Sequence, residues 1–348
     1  MRYTQRPSQF GLTFDSTWSL ATLPSEGLQN LAGLSAATLF GAKGRWFLEV
    51  KPETRKQLDF GRWIRTEPIA GYVAERQNAD GGYTFAQWAE SSAQDTYYAL
   101  QILKMLGVEP ALKERTIAFL KELQHPDGGF DSMKVAYYVT KSLIELGATL
   151  ERGFEKCILL AQSSLERLGS FDVNIEASSE METTYLSLET LRLLRKPVDA
   201  EPLIAITLRL RNPDGSFGRG GYSRMASVYY ALASLKLLGY DMSSLAGTLK
   251  WIRACENPAG GFARSPNDFD AYLILEEIYY GLRALEALGE VSQFPSQNLS
   301  LIGKFQNGNG GFRRSIFLGI STFEDTFYAL SSLDNLSAQA GNQRSSIR

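Results

Sequence analysis

The sequence predicts an all-α protein in which six helix pairs form an α/α toroid, an α6/α6 barrel with buried helices inside and amphipathic helices outside. Three observations predict it: a turn that occurs six times, four times as Gly-Gly-aromatic and twice as Gly-Ser-Phe, an amphipathic segment before each turn, and a more apolar segment after each turn. Regular self-similarity of this length is typical of repeat architectures, so the repeat is the first guide to the fold.

The turn is the most regular feature of the chain. In its fullest form it is Gln-x-x-Asp-Gly-Gly-aromatic, as at residues 77–83. Glycine tolerates the left-handed backbone that ends a helix, and Pro-Asp-Gly sequences do not continue one. The turn therefore marks the end of one helix in each repeat. Its first glycines are 41 to 50 residues apart and are Gly81, Gly128, Gly169, Gly215, Gly260 and Gly310.

The segment before each turn has the pattern of a surface helix. In residues 112–121, apolar side chains are spaced three and four residues apart, with charged side chains between them. This spacing gives a helix one apolar face and one face in water. We therefore predict an outer, amphipathic helix in each repeat.

The segment after each turn is more apolar. Residues 97–107 and 229–239 are apolar nearly all round, and each ends in a glycine. A helix of this kind is buried on most sides, and the terminal glycine supplies its C-cap. We therefore predict an inner, buried helix in each repeat.

Alternating outer and inner helices have two simple arrangements, an open solenoid and a closed double ring. A solenoid needs polar capping repeats at both ends. Neither terminal repeat of this chain departs from the pattern in that way, and six pairs suit closure. We therefore expect the ring.

The repeats also divide the chain. We predict the toroid over residues 65–336, with residues 337–348 as a polar tail. Residues 1–64 precede the first repeat, and we expect them to pack as a cap or plug because they carry several large aromatic side chains. These are Trp18, Trp46, Phe47 and Trp63.

Composition excludes several classes of protein. The net charge is −2 and 44% of the residues are hydrophobic, which is too apolar for a disordered chain and too neutral for a protein that binds nucleic acid through its phosphates. Two cysteines cannot form a disulfide framework, and one histidine excludes a site that needs two imidazoles. The sequence shows no membrane span, secretory signal or lipidation box. We expect a soluble, cytoplasmic protein.

The repeat resembles that of prenyltransferases and squalene cyclases. The likeness rests on the turn at residues 77–83 with the helix start at 95–100, and on the equivalent segments 310–312 and 325–330. It implies a six-by-six toroid whose central cavity handles isoprenoid chains. Relatives would be the β subunits of protein prenyltransferases and the class II terpene cyclases. Size favours the former, because the cyclases usually combine two such domains.

Arginines follow several of the turns. The inner helices of the predicted ring run in one direction, so their N-termini meet at one mouth, where the helix dipoles favour an anion. A guanidinium fork suits a diphosphate, and the resemblance implies that basic residues just after the turn bind one. The alternative is that these are solvated loop charges. The candidates are Arg219, Arg224, Arg264 and Arg313, with Arg314 beside the last.

Aromatic residues occur in pairs near the start of the inner helices. Adjacent helical residues point about 100° apart, so we expect one of each pair to face the lumen and the other to pack outward. Lumen rings would cradle an isoprenoid and stabilise a carbocation by ~0.5–2 kcal/mol per ring; the alternative is that they fill core. The candidate substrate-binding residues are Tyr97, Tyr137, Tyr185, Tyr229 and Tyr279, next to Tyr98, Tyr138, Tyr230, Tyr280, Phe327 and Tyr328.

Carboxylates stand at the same helix starts, and the candidates for catalysis are Asp95, Glu182, Glu324 and Asp325. One interpretation is that they are N-caps, worth ~1 kcal/mol each. The other is acid or base chemistry at the mouth, because a neighbouring carboxylate raises the pKa of its partner. The pairs to test are Glu324 with Asp325, and Glu180 with Glu182.

The family's metal and acid motifs are incomplete. The zinc ligands that the resemblance implies would fall at Ala226, Val228 and Asp325, two of which cannot bind zinc, and Cys157 and Cys255 lie on outer helices. Zinc is therefore not expected and no protein-bound metal is predicted, although Mg²⁺ would suit a diphosphate substrate. The Asp-x-Asp-Asp motif of class II cyclases is also absent as a complete string.

Three functions stay open at this point. The first is an enzyme that binds a prenyl diphosphate and carries out zinc-independent prenyl transfer or terpene-type cyclisation through a carbocation. The second is a non-catalytic isoprenoid-binding or β-like protein that joins a helical partner subunit. The third is a carbohydrate-active toroid, which needs two carboxylates about 5–9.5 Å apart. Peripheral membrane contact stays open too. The isoprenoid interpretations require a lumen wide enough for a hydrocarbon chain.

Overall fold

The structure is a computed structural model that falls into two units, Met1–Leu58 and Asp59–Arg348. It describes side chains in residues 63–150, 153–168, 180–218, 225–269 and 273–339, and beyond them the backbone of two strands and some helix ends. In the first unit, β1 (Ala37–Ala42) and β2 (Arg45–Val50) pair antiparallel, with Ala37 opposite Val50. Of the rest of the predicted cap, the described residues include Trp63 and Ile64 alone.

The described part of the second unit contains twelve α-helices that alternate between two sets. None of them combines the length and the apolar run that a membrane crossing needs. The outer set is α1 (Glu67–Ala74), α3 (Lys113–Glu122), α5 (Glu155–Glu166), α7 (Ala200–Arg209), α9 (Ala246–Cys255) and α11 (Pro295–Gly303). The inner set is α2 (Ala93–Leu106), α4 (Met133–Glu145), α6 (Ala177–Leu193), α8 (Arg224–Leu237), α10 (Leu275–Ala287) and α12 (Phe323–Ser345).

The inner helices form a closed ring. Each packs against the next in the order α2, α4, α6, α8, α10 and α12, and α12 then packs against α2. Each outer helix lies against a neighbouring inner helix, as α3 does against α4 and α5 against α6. The predicted α/α toroid is therefore confirmed, and an open solenoid is excluded.

The repeated turn joins each outer helix to the next one. In the first turn, Gln77 donates through Nε2 to the carbonyl of Gly81 and to Thr116 Oγ1 on α3, both at 3.1 Å. Gly81 has a φ of +90°, which favours glycine. A Cβ at this position would also overlap the backbone of Arg115 and Thr116. The glycine is thus required both by its own conformation and by its contact with the next helix.

The last turn holds the first outer helix in the same way. Gln306 accepts a hydrogen bond from Arg65 N at 2.9 Å and donates to Arg65 O at 2.7 Å. A Cβ on Gly310, whose φ is +93°, would lie 2.6 Å from the backbone of Pro68 at the start of α1. The outer set is therefore closed by the same contact that repeats along the chain.

Inner helices begin one turn earlier than the carboxylate pattern predicts. Ser92 is the N-cap of α2, and its hydroxyl accepts from Asp95 N at 3.0 Å. Thr322 does the same for Asp325 N at 3.0 Å at the start of α12. The N-cap interpretation of Asp95 and Asp325 is therefore wrong by three residues. The hydroxyl side chains satisfy the free N–H groups, which leaves the carboxylates one turn inside the helix.

The predicted polar tail is helical for most of its length. α12 continues through Ser345, whereas we expected residues 337–348 to follow the toroid as a tail. Four of the other five inner helices are followed by a left-handed glycine, such as Gly107 with a φ of +70°, and α6 is followed by the left-handed Arg195. No glycine follows Leu336 in the equivalent place, so the helix has no local reason to end there.

Candidate functional site

The start of the inner helices defines one end of the ring, called the mouth here. Aromatic residues lie near the start of the inner helices. They contact the aromatic residues of the neighbouring inner helices. The aromatic residues of the six helices therefore lie at a common level, and the helices run in the same direction. Their positive dipole ends face the mouth together.

The aromatic side chains form a belt, called the tyrosine belt here, whose ring contacts run from Tyr185 of α6 through α8, α10, α12 and α2 to Tyr137 and Tyr138 of α4. Tyr97 stacks on Tyr138 with centroids 4.8 Å apart, and Tyr279 stacks on Tyr328 at 4.3 Å. Most members are less than 9% exposed. The belt consists of Tyr97, Tyr98, Tyr137, Tyr138, Tyr185, Tyr229, Tyr230, Tyr279, Tyr280, Phe327 and Tyr328.

Both members of a pair belong to the belt, which corrects the prediction that one of them packs outward. Tyr97 contacts Tyr137 at 5.7 Å, and its neighbour Tyr98 contacts Tyr138 at 5.8 Å. Two directions about 100° apart both fall on the inward half of these helices. The alternative that half of the rings merely fill core between inner and outer helices is therefore wrong as well.

The belt also changes the expected shape of the lumen. The pKa of Tyr230 is raised first by burial and then by Tyr280, Glu182 and Tyr98. Of these residues, Tyr98 belongs to α2, on the opposite side of the ring from α8. Most belt side chains are also less than 9% exposed, although they lie on the inward half of their helices. The prediction of a lumen wide enough for a hydrocarbon chain is therefore wrong at the level of the belt, which forms the floor of the mouth.

A chain of hydroxyl groups crosses the mouth side of the belt. Tyr230 contacts Tyr280 at 3.0 Å between oxygens, and Tyr280 contacts Tyr328 at 3.1 Å. Tyr328 and Tyr98 both donate to Oε1 of Glu324 at 3.0 Å. At the other end, Tyr230 donates to Oε1 of Glu182 at 3.3 Å. Two of the predicted catalytic carboxylates are therefore tied into one network with the belt.

A second group of carboxylates lies beside Glu324. Burial raises the pKa of Asp325 to about 6, against the lowering effect of its hydrogen bond from Thr322, and Glu324 raises it further. Burial also raises the pKa of Asp95 and of Glu276 on α10, the latter paired with Arg314. The sequence pattern found Asp95, Glu324 and Asp325, and the fold brings them together.

The described arginines that we predicted to bind a diphosphate are bonded to other groups of the protein. Arg264 pairs with buried Glu277 at 3.4 Å. Arg313 donates to Asn307 Oδ1 at 2.7 Å and to Ile316 O at 2.9 Å, so it holds its own loop. Arg219 and the side chain of Arg224 lie outside the described residues. The assignment of these arginines to a diphosphate stays a prediction.

The far side of the belt carries charges that sequence analysis did not single out. Lys141 lies 5.5 Å from the centroid of Tyr137, and Glu189 pairs with Arg192 at 2.7 Å. Lys141 and Glu189 each follow a belt tyrosine by four residues, so they point to the same side of their helices. Counting four residues on from each tyrosine could have found them.

Residues with metal-binding chemistry are spread over the described ring. Cys157 and Cys255 are buried in outer helices as expected, and His125 bonds to Asp131 at 2.9 Å in its turn. Ala226 and Val228 are buried at the start of α8. Within the described residues, no three His, Cys, Asp or Glu side chains form a group that could hold a metal ion. Zinc independence stays a prediction.

The sequence of this chain matches the model of a known protein family. The chain matches the profile of the prenyltransferase alpha-alpha toroid domain over residues 23–136, 131–271 and 273–347. No curated protein is significantly similar to it in sequence.

Two groups of solved structures share the fold. Protein geranylgeranyltransferase-I from Candida albicans, complexed with GGPP, superposes with a TM-score of 0.56 at 14% identity, over 82% of this chain and 93% of that one. A variant of the type II terpene cyclase MstE from Scytonema, in complex with merosterolic acid A, gives a TM-score of 0.53 at 14% identity, over 81% and 97%.

A third structure, of a protein from Actinoplanes, has a TM-score of 0.56 at 15% identity and covers 80% of this chain and all of that one. Identities this low show the fold alone. The profile match, however, extends over nearly the whole sequence and agrees with the closed double ring and its repeated turn. This chain belongs to the prenyltransferase alpha-alpha toroid domain family.

Proposed function

We propose that this protein is an isoprenoid-handling enzyme that takes a prenyl diphosphate at the mouth of the ring and converts it through a carbocation without zinc. One observation carries the proposal: Glu324 of α12 accepts hydrogen bonds from two tyrosines of the belt, and the carboxyl groups of Asp95 on α2 and Glu276 on α10 lie near it. A carboxyl group can give a proton to an alkene, and the π faces then stabilise the resulting cation. Acid and cation-stabilising surface are adjacent in this arrangement.

Terpene-type cyclisation fits the mouth better than prenyl transfer. Glu324 accepts hydrogen bonds from two belt tyrosines, so it lies at the floor. The pKa of Asp325, which lies behind Glu324, is about 6, so this carboxyl group keeps its proton below that pH. Arg264 and Arg314, by contrast, pair with Glu277 and Glu276. Among the described residues the mouth is thus richer in acid groups than in unengaged cations, which suits proton-initiated chemistry.

The test is incubation with farnesyl or geranylgeranyl diphosphate, with Mg²⁺ and with a chelator, followed by mass spectrometry. Proton-initiated cyclisation gives a product of unchanged mass that keeps its diphosphate, whereas prenyl transfer releases diphosphate. Glu324→Gln removes the acid and should slow turnover about 10²–10⁴-fold, the usual contribution of a general acid. Glu122→Gln, an exposed carboxylate of outer helix α3, is the matched control. Turnover that survives Glu324→Gln contradicts the acid role.

A second candidate function is isoprenoid binding without chemistry. It is favoured by the belt itself, because a filled ring offers a ligand the mouth but no deep channel. In this case either diphosphate should raise the melting temperature of the protein while all of it is recovered unchanged. If neither diphosphate nor the corresponding polyprenols shift the melting temperature, both isoprenoid functions are wrong.

A further inference from the structure

The two glutamates of the hydroxyl chain belong to opposite helices. In the ring order, α6 with Glu182 and α12 with Glu324 are separated by two inner helices on either side. Three tyrosine hydroxyls connect them, one each from α8, α10 and α12. The successive oxygen–oxygen distances from Glu182 through Tyr230, Tyr280 and Tyr328 to Glu324 are 3.3, 3.0, 3.1 and 3.0 Å.

The chain has fewer protons than contacts. Each of the four contacts needs one proton between its two oxygens. A tyrosine hydroxyl supplies one proton and an ionised carboxylate supplies none, so three protons serve four contacts. With both glutamates ionised, two buried oxygens 3.0 to 3.3 Å apart would face each other without a proton, which is unfavourable. One additional proton, carried by either glutamate, satisfies every contact.

We propose that Glu182 and Glu324 share one additional proton, and that Tyr230, Tyr280 and Tyr328 relay it between opposite sides of the mouth. Its use in turnover rests on the proposed function, but the shared proton itself follows from the contacts alone. The relay makes three belt tyrosines positioning residues for the acid rather than only a surface for the substrate.

The surroundings of the two ends are unequal. Glu182 is paired through Oε2 with Lys134 of α4 at 2.8 Å, and Tyr138 and Tyr280 also face it. The lysine places a positive charge directly against this end of the hydroxyl chain.

Glu324 lies among other carboxyl groups. Beside Tyr98 and Tyr328, whose hydroxyl oxygens lie 3.0 Å from its Oε1, Glu324 faces three carboxyl groups and an arginine. These neighbours are Asp95, Asp325, Glu276 and Arg314. Glu324 is the end of the hydroxyl chain that we propose as the acid.

The relay closes a catalytic cycle without another reactant. Glu324 gives its proton to the alkene, whose π electron pair forms the new C–H bond and leaves a carbocation. After ring closure, Glu182 takes a proton from a carbon next to the cation, and that C–H electron pair forms the product alkene. Glu182 then passes a proton to Tyr230, Tyr230 to Tyr280, Tyr280 to Tyr328, and Tyr328 to Glu324. Each O–H bond that breaks is replaced by one on the next oxygen.

Infrared spectroscopy of the intact protein tests the shared proton without any substrate. At about pH 8, where Asp325 with its pKa of about 6 is ionised, the wild type should show the C=O stretch of a protonated carboxyl group, shifted in D₂O. Tyr280→Phe leaves two contacts and two hydroxyl protons, so this band should disappear although no carboxyl group has been removed. Tyr279→Phe is the control. The hydroxyl of Tyr279 bonds to Tyr229 and is not part of the chain between the glutamates, so this variant should keep the band.

A second variant covers the case in which Tyr280→Phe does not fold. In Glu182→Gln the amide N–H₂ supplies the missing donor, so every contact is satisfied and the band should again be lost. Absence of the band from the wild type, or its persistence in folded Tyr280→Phe or Glu182→Gln, overturns the proposal. Failure of turnover with every diphosphate would instead overturn the proposed function and leave the infrared result standing.

Discussion

At the scale of single residues, the chemistry of the mouth depends on two consecutive side chains of α12. Glu324 accepts from two belt tyrosines, whereas Asp325 bonds to the hydroxyl of Thr322 at 2.7 Å. The two residues are consecutive in sequence, yet the carboxylate of Glu324 lies on the floor of the mouth and that of Asp325 is buried behind it. The carboxyl group behind the floor carries the raised pKa, because burial disfavours its charge.

Asp325 should make folding more favourable in acid. Its pKa is about 6 in the folded protein, against 3.8 for an aspartate side chain in water, so the folded state binds a proton that the unfolded chain releases. The contribution is complete below about pH 4, is lost as the pH rises through 6, and amounts to ~2–3 kcal/mol. Urea unfolding of wild type and Asp325→Asn at several pH values should show that difference. A difference that stays constant with pH contradicts it.

Gly81 should tolerate no side chain. In Gly81→Ala the new Cβ would meet the backbone of α3, and the residue would have to hold a φ of +90°, so we expect a loss of ~3 kcal/mol or more. Gly107→Ala is the control, because its φ is +70° but nothing lies within 4 Å of its Cβ. It should cost only ~1 kcal/mol. Equal losses in urea unfolding would show that the contact with α3 is unimportant.

At the scale of secondary-structure elements, the turn is the unit that orders the ring. Its glutamine and its first glycine hold the start of the following outer helix. The threonine in the first turn of the inner helix holds the aromatic residue, as Thr96 does for Tyr83 N and Thr326 for Phe312 N, both at 3.0 Å. The family motif is therefore a packing device, which explains why it predicts the fold and leaves the reaction open.

Gln306 should control the closing contact of the outer set. Gln306→Ala removes both hydrogen bonds to Arg65 and should cost ~1–3 kcal/mol. Because α1 has only eight residues, hydrogen exchange of its amides should accelerate most. Gln77→Ala, which removes the equivalent bonds in the first turn, should instead loosen the start of α3. Unchanged exchange in α1 would mean that Gln306 does not hold it.

At the scale of the whole molecule, closure puts five aromatic pairs and the single Tyr185 around one axis. An open solenoid with the same helices would leave these rings spread along a groove. In the closed ring they contact one another, and two of the contacts are stacks at 4.3 and 4.8 Å. The belt thus sets the depth to which a substrate can enter the mouth. An isoprenoid chain that is longer than this depth must bend away from the ring axis or displace a tyrosine ring of the belt.

Tyr138→Ala should therefore change the length of isoprenoid that binds best. Removing a ring that is 5% exposed and stacks on Tyr97 opens space below the mouth, at a cost of ~3–5 kcal/mol in stability. The affinity for geranylgeranyl diphosphate should rise relative to farnesyl diphosphate, measured by calorimetry. Tyr83→Ala, which removes a ring that is 1% exposed and packs on Phe323, should lose similar stability without the change. An unaltered preference in Tyr138→Ala would mean that the belt does not limit the ligand.

The sequence by itself determined the helix pairs, the turns between them and the closed double ring. These follow from local causes: the left-handed backbone at Gly81, the spacing of apolar residues in 112–121, and the resemblance of the turn to a known repeat. The carboxylates Glu182 and Glu324 could also be found, because they occupy equivalent places in their repeats.

Only the tertiary structure decided which side chains act together. It turned both members of the pair Tyr97 and Tyr98 into the belt, filled a lumen that we expected to be open, and engaged Arg313 in its own loop. It also joined Glu182 to Glu324 through tyrosines of other repeats. The physical reason is that these contacts depend on the rotation of each helix about its axis and on the radius of the ring. Those quantities come from packing among all six repeats, and no local pattern encodes them.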